Sequence, residues 1–144
     1  MRNRLLPIVI LIGLPVTAWA QPNLTWKHLA DVDFEWRFFK EYNQKFLVPI
    51  FGKTPKSYEG KEVHISGYVI PLDVRVYALS KNPYAACFFC GAAGPETIVE
   101  LQIGPDGAKR YKMDQWMTFK GILRLNDSDV SHFNYILEKA VPVN

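Results

Sequence analysis

One stretch of alternating apolar and polar residues decides the fold of this chain: Gly60-Lys61-Glu62-Val63-His64-Ile65-Ser66-Gly67-Tyr68-Val69-Ile70. Successive side chains on a β-strand point to opposite faces, so Val63, Ile65 and Val69 share one face and the polar residues between them share the other. Glycine within a strand marks a bulge or a sharp bend. Gly67 therefore predicts a strand that curls, as strands do in a small barrel, and Pro71 is expected to end it.

Similar alternation predicts further strands along the chain, at residues 74–79, 97–103, 117–123 and 133–137. Turn residues separate them, most clearly at 104–107 and 126–129. Short strands with turns between them favour a mainly β fold, a small antiparallel barrel or sandwich over residues 60–144. The predicted core residues are Val63, Ile65, Val69, Val99, Leu101, Phe119, Leu123, Phe133 and Leu137.

The segment before this domain, residues 21–59, is rich in aromatic side chains. Phe34, Phe38, Tyr42 and Phe46 recur at every fourth position, which is typical of one face of a helix. Alternate aromatic residues in the first half of this run also allow a strand. We predict a short helix, capped by an aspartate at its start and packed on the sheet, and then a loop over the proline-containing residues 49–58.

Residues 1–20 have the composition of a secretory signal peptide. Arg2 and Arg4 form a basic start, an apolar run follows over residues 5–15, and Ala18-Trp19-Ala20 has the form of a cleavage site. The apolar run is shorter than the about 20 residues that a membrane-spanning helix needs. We therefore expect cleavage before Gln21, a periplasmic or secreted protein, and no stable membrane insertion after cleavage.

Composition favours one globular domain without a nucleic-acid partner. The chain has 144 residues, of which 49% are hydrophobic and 14% aromatic, enough for a packed core. Its formal net charge of +3 falls to +1 without residues 1–20, whose only charged side chains are two arginines. A nearly neutral domain lacks the basic surface that nucleic acid attracts. The sequence leaves the oligomeric state open.

The only two cysteines, Cys87 and Cys90, stand in a C-x-x-C spacing before a glycine-containing turn. An extended strand would separate their Cα atoms by about 10 Å, whereas a disulfide needs roughly 4.4–6.8 Å, so the chain must turn here if the two sulfurs act together. Three hypotheses fit the spacing. It is a small structural disulfide, favoured by an oxidising compartment, half of a zinc-type site, or a redox-active thiol pair.

These hypotheses make different demands on the rest of the chain. A zinc site needs further ligands, and His64 is the leading candidate, ahead of His132 and Glu96. A lone strand histidine, however, more often hydrogen-bonds to backbone or water. Redox use needs a helix that lowers the pKa of a thiol, and no amphipathic helical pattern follows Cys90. Redox chemistry therefore has the weakest support of the three.

Other catalytic signatures are missing from the sequence. It contains no G-x-S-x-G, no H-E-x-x-H and no phosphate-binding glycine loop. We therefore predict a non-enzymatic binding or accessory protein. The alternatives are a thiol–disulfide redox protein and a glycan-binding module, in which exposed aromatic residues such as Tyr68 and Tyr77 would contact the ligand.

Two resemblances extend this interpretation. Residues 60–69 resemble the first strand of an oligonucleotide/oligosaccharide-binding (OB) barrel, and the apolar run around Gly121 resembles a later strand. The chain after residue 20 also resembles a family of small secreted bacterial proteins of unknown function. That second resemblance is carried by Trp26, Leu29, residues 67–73 and the cysteine turn.

These resemblances imply a fold, a cofactor and a partner. The fold is a small OB-like barrel with an N-terminal helix or aromatic segment packed on it. Relatives carry Cys-x-His before a run of prolines where this chain has Cys87-Phe88-Phe89-Cys90-Gly91, so both versions place two soft ligand side chains in the turn. The family is associated with ABC-type envelope transport and zinc limitation, which implies zinc as cofactor and envelope transport components as partners.

Overall fold

The computed structural model of this protein describes residues 22–74, 76–105 and 110–143. Three 3₁₀ turns, Tyr84–Ala86, Phe88–Cys90 and Pro95–Thr97, connect the fourth and fifth strands. The predicted signal peptide, residues 1–20, and positions 106–107 of the predicted turn lie outside the described residues. The helices and strands are, in chain order, α1 (Trp26–Leu29), β1 (Val32–Phe39), β2 (Gln44–Phe51), α2 (Lys53–Tyr58), β3 (Glu62–Asp73), β4 (Val76–Ser80), β5 (Ile98–Ile103), β6 (Gln115–Leu125) and β7 (Tyr135–Pro142).

Strands β3 to β7 form a closed barrel in the order β3-β4-β5-β7-β6. The prediction of a mainly β fold with a small OB-like barrel is confirmed. One detail differs, because β5 and β7 pair in parallel while the other four neighbouring pairs are antiparallel. The parallel pair arises because β6 returns to β3, so that β7 closes the barrel beside β5 in the same direction. In the described part of the chain, no helix is long and apolar enough to span a membrane.

The alternating stretch at residues 60–70 lies largely in β3, as predicted, and its residues are alternately buried and partly exposed. At its centre, a Cβ on Gly67 would lie 2.6 Å from the carbonyl oxygen of Ser80 and 2.9 Å from the ring of Trp26. Only glycine allows this close approach, which lets Trp26 of α1 pack against β3, although the pairing with β6 shows no bulge at Gly67. Pro71 does not end the strand, contrary to prediction, because it pairs with Tyr77 beside an irregularity in the ladder, where proline is tolerated.

The barrel interior holds the main hydrophobic core. Eight of the nine predicted core residues are buried, and Phe133 is only half-buried, in a smaller cluster outside the barrel. Tyr135, from β7, is also fully buried, and its hydroxyl donates a hydrogen bond to the carbonyl oxygen of Leu29 at 2.7 Å. Leu29 belongs to α1 and is itself buried in the main core. The N-terminal segment is therefore packed on the barrel, as predicted.

The aromatic run after α1 forms a hairpin, and the prediction of a helix there is wrong. Strands β1 and β2 pair antiparallel from Val32 opposite Phe51 to Phe39 opposite Gln44. Their two-stranded sheet is separate from the barrel. The four-residue aromatic spacing spans the reversal at residues 40–43, so it does not mark one continuous face. The alternation in the first half of the run was the better signal.

The expected helix cap and loop also differ from prediction. Asp31 caps α2, because its carboxylate accepts the backbone N–H of Thr54 at 2.9 Å. This hydrogen bond lowers the pKa of Asp31 below its ordinary value. Residues 49–58, predicted as a loop, contain the end of β2 and the six residues of α2. Pro55 occupies the first helical turn, where a proline costs no hydrogen bond.

Candidate functional site: a cleft beside the cysteine turn

The cysteine turn runs along the outside of the barrel. Cys87 is fully buried in the smaller hydrophobic cluster with Ile70, Ala78 and Ile98. Cys90 is exposed, and its thiol donates a hydrogen bond to the carbonyl oxygen of Tyr84 at 3.0 Å. Both cysteines are free thiols in the structure. The turn brings the second thiol to the surface and uses the first as a packing group.

The electrostatics of this turn do not activate a thiol. Desolvation of its sulfur raises the pKa of Cys90, and the neighbouring Cys87 adds to the increase. The turn Phe88–Cys90 has only three residues, too few to supply the long helix whose N-terminus lowers a thiol pKa. A raised pKa reduces the fraction of reactive thiolate, so the arrangement disfavours redox catalysis.

The predicted metal ligands are not grouped by the structure. Among the described residues, no group of three or more His, Cys, Asp or Glu side chains could hold a metal ion. His64 lies on β3 opposite Lys120 of β6, and its backbone also bonds to Pro22 and Leu24 of the N-terminal segment. Cys87 instead packs in the cluster that contains Ile70, six positions further along β3. His64 and the thiols therefore belong to different parts of the barrel surface.

A cleft of about 280 Å³ lies beside the turn, and we name it the hairpin cleft. One wall is β2, residues 46–49. The second is Phe88, Pro95 and Ile98, next to the buried thiol. The third is the loop between β6 and β7, residues 126–134 without residue 131. Its volume is just below the about 300–1,000 Å³ of common ligand sites, so it suits a small ligand.

Asn126 holds the third wall in shape. Its side chain is buried and its Nδ2 donates to the carbonyl oxygens of Asp129, His132 and Phe133 at 2.7, 3.3 and 3.1 Å. Its Oδ1 accepts the backbone N–H of Asp129 at 2.9 Å. One amide thus satisfies backbone groups at both ends of the loop, which preorganises the wall before any ligand binds.

Glu100, on β5, fastens the same loop to the barrel. Its carboxylate accepts the backbone N–H of Phe133 at 3.2 Å and lies 2.8 Å from Nδ1 of His132. The other ring nitrogen of His132 is 4.0 Å from the Asp129 carboxylate. Among the described residues, the ring nitrogens of His132 contact carboxylates only, with no hydroxyl or thiol partner. These contacts orient the loop. They include no pair of a nucleophile and a general base.

The lining of the cleft contains two carboxylates. Asp127 and Asp129 belong to its wall, and no lysine or arginine is among the described lining residues. The N–H of Ser131 donates to the Asp129 carboxylate at 2.9 Å, which lowers the pKa of this carboxyl below its ordinary value. Asp129 is therefore ionised at neutral pH. The polar wall of the cleft favours a positively charged group.

Sequence reasoning found some of these residues and missed others. His132 was considered only as a metal ligand, and the turn at 126–129 only as a turn. Asn126 carried a detectable signal, since asparagine readily bonds to nearby backbone in turns. Of the two aromatic residues named for glycan binding, Tyr77 is buried in the core. Tyr68 is half-buried against the exposed Trp116, with ring centres 4.8 Å apart.

Comparison with protein-family models, curated proteins and solved structures finds no match for this chain. The functional conclusion therefore rests on the geometry of its own residues.

The different exposure of Cys87 and Cys90 leads to a direct measurement. In protein kept reduced, we expect Ellman's reagent at neutral pH to modify Cys90 more slowly than it modifies glutathione, because the pKa of Cys90 is raised. Cys87 should react only after denaturation, because it is fully buried. Fast reaction of the native protein, lost in Cys90→Ser but not in Cys87→Ser, would contradict this expectation and favour a redox role.

Proposed function

We propose that this protein is a non-enzymatic binding protein that holds a small ligand, with an apolar body and a cationic end, in the hairpin cleft. The observation that carries the proposal is the meeting of two apolar walls with a preorganised loop that contributes two carboxylates and no lysine or arginine. Ligand sites are commonly apolar clefts with a few fixed polar groups. The cleft has that composition.

The position of the cleft in the barrel supports this proposal. OB-like barrels bind ligands through, among others, the loop between their fourth and fifth strands. Here β6 and β7 are the fourth and fifth barrel strands, and the loop between them is the cleft's polar wall. A periplasmic or secreted location, with envelope transport components as partners, belongs to the same proposal and rests on the resemblance and on residues 1–20.

Zinc binding is a second candidate, carried by the proximity of the two thiols. The backbone N–H of Cys90 donates to the carbonyl oxygen of Cys87 at 3.3 Å, so both cysteines lie in one turn and their sulfurs could contact one ion, at about 2.3 Å each. In this proposal further ligands would come from water or a partner, since the described residues supply no third side chain. Zinc content is measured on the reduced protein used for the thiol assay.

The binding proposal is tested with two probes that share an aromatic body and carry opposite charges. Phenethylammonium should shift the backbone amide NMR signals of residues 46–49 and 126–134. It should bind about three- to tenfold more tightly than phenylacetate, since each partly exposed ion pair contributes about 0.2–1 kcal/mol. The double variant Asp127→Asn/Asp129→Asn should lose this preference while retaining the apolar contacts.

Asp73→Asn is the matched control, because Asp73 is exposed at the end of β3 and does not line the cleft. This variant should keep the preference for the cation. If neither charged probe shifts the cleft signals, the proposal is wrong. If maltotriose alone binds, at Tyr68 and Trp116, the glycan-binding alternative replaces it.

A further inference from the structure

Among the described residues, one edge of strand β1 pairs with no other strand. β1 pairs with β2 on one side, and the two form their own two-stranded sheet. Gly52 donates its N–H to the carbonyl oxygen of Asp31 at 2.9 Å, immediately before this ladder. Because hydrogen-bonded pairs alternate along an antiparallel ladder, residues 33, 35, 37 and 39 bond to β2. The backbone groups of Phe34, Trp36 and Phe38 therefore point away from β2.

The same three residues place their side chains on one face of the hairpin. In the structure Trp36 is 68% exposed and Phe38 is 51% exposed, with Leu47 opposite Trp36 and also exposed at 45%. Phe34 is half-buried. A long edge strand with exposed aromatic residues and no proline is a template for pairing with another strand. Isolated two-stranded sheets are also only marginally stable in water.

The charges on the opposite face determine which strand fits. Glu35 and Arg37 point to the same face and contact each other at 2.8 Å, with side chains 48% and 41% exposed. If β1 pairs antiparallel with β1 of a second copy so that Trp36 lies opposite Trp36, Glu35 of each copy lies opposite Arg37 of the other. Phe34 then lies opposite Phe38. Opposite charges and aromatic pairs at such positions stabilise a sheet.

Neighbouring registers lack this complementarity. The backbone groups that point away from β2 belong to even-numbered residues. The two nearest alternative registers are therefore displaced by two residues. Shifting in one direction places Glu35 opposite Glu35 of the second copy. Shifting in the other places Arg37 opposite Arg37. Of these three registers, only the one centred on Trp36 places no like charges opposite each other.

We propose that a second copy of this chain binds the β1 edge through antiparallel pairing centred on Trp36, to form a two-fold symmetric dimer with a continuous four-stranded sheet β2-β1-β1-β2. A two-fold axis makes the contact self-complementary and closed, so the assembly ends at two copies. The proposal does not rest on which ligand the hairpin cleft binds, but Arg37 also donates from Nη1 to the carbonyl oxygen of Asp127 in the cleft wall at 3.1 Å.

Charge reversal tests both the partner and the register. The purified protein should be a dimer in sedimentation experiments across a concentration series. Glu35→Arg and Arg37→Glu should each weaken the dimer about tenfold or more, because both cross-copy contacts become repulsive. A mixture of the two variants should form a heterodimer, since two arginines then face two glutamates. The double variant Glu35→Arg/Arg37→Glu should dimerise with itself.

Lys56→Glu, on α2 and away from β1, is the matched charge control and should leave the dimer unchanged. Circular dichroism of each variant establishes that a lost dimer does not reflect lost folding, and recovery in the mixture gives the same information independently. A monomeric wild-type protein overturns the proposal. So does a dimer that both single variants retain, or a protein that binds lipid vesicles through Trp36 and does not pair with itself.

Discussion

Gly121→Ala should lower the free energy of unfolding by about 3 kcal/mol, the upper end of the cost of overpacking a core. A Cβ at this position would lie 2.6 Å from the carbonyl oxygen of Glu138 and 2.8 Å from Cγ of Leu137. The first of these atoms is backbone of the paired strand β7, so it cannot rotate away. The close contact is relieved only if β6 moves away from β7, and this movement opens the barrel.

Gly104→Ala provides the matched control. A Cβ there would also face β7, but its nearest atom, in the backbone of Lys139, is 3.5 Å away, an ordinary contact distance. This variant should unfold within about 0.5 kcal/mol of the wild type in urea, because the added methyl group meets no close contact. Equal loss of stability in both variants would mean that the alanine side chain, and not the close approach at Gly121, causes the effect.

Asn126→Ala should lower the free energy of unfolding by about 2–4 kcal/mol and abolish binding in the hairpin cleft. The substitution leaves buried backbone groups at both ends of the loop without a partner, at about 1–3 kcal/mol for each group that water does not reach. The loop is also the polar wall of the cleft. Urea denaturation measures the first effect, and the NMR titration with phenethylammonium measures the second.

Two companion variants identify the cause. Asn134→Ala removes a cleft side chain but keeps the backbone carbonyl to which the Asn126 N–H donates at 2.8 Å, so its stability should change by less than about 1 kcal/mol. Asn126→Asp keeps the shape and removes the donor, placing a carboxylate against three carbonyl oxygens. If Asn126→Ala is as stable as the wild type, the amide does not organise the loop.

The pH dependence of Asn126→Asp follows from the sign of its pKa change. The introduced carboxyl should have a pKa in the folded state above the about 3.9 of an unfolded aspartate. Its stability relative to the wild type is then greatest below pH about 4, where it is protonated and can donate. The relative stability falls as pH rises through the folded pKa. Urea titrations at pH 4 and pH 7 measure the difference.

Local patterns were sufficient for much of the barrel because β3 and β6 alternate buried and more exposed side chains. The alternation of β3 and the buried faces of β5 and β6 follow from the period of two between side chains on a strand. Gly67 and Gly121 were also informative from sequence. Each lies inside a strand pattern, where glycine has no side chain to pack and therefore indicates a special backbone requirement. The structure shows the reason at both positions, a close backbone approach.

Local patterns failed for the hairpin because its aromatic residues fit two periods. Phe34 and Phe38 are separated by four positions, which suits a helix, and they also lie on one face of a strand. Pairing with β2 decides between them, and the residues opposite β1 are as many as 19 positions away in sequence, as from Val32 to Phe51. That contact is absent from any local window.

The sequence by itself determined the mainly β class, the approximate strand positions of the barrel and most of its core. The reason is that the local alternation of apolar and polar side chains indicates which face of a strand is buried. Only the tertiary structure decided the hairpin cleft. Its walls come from residues 46–49, from the cysteine turn and from residues 126–134, and they meet because the barrel closes β6 and β7 beside the hairpin. The roles of Asn126 and Glu100 depend on the same closure, since their partners are fixed by distance in space and not by spacing along the chain.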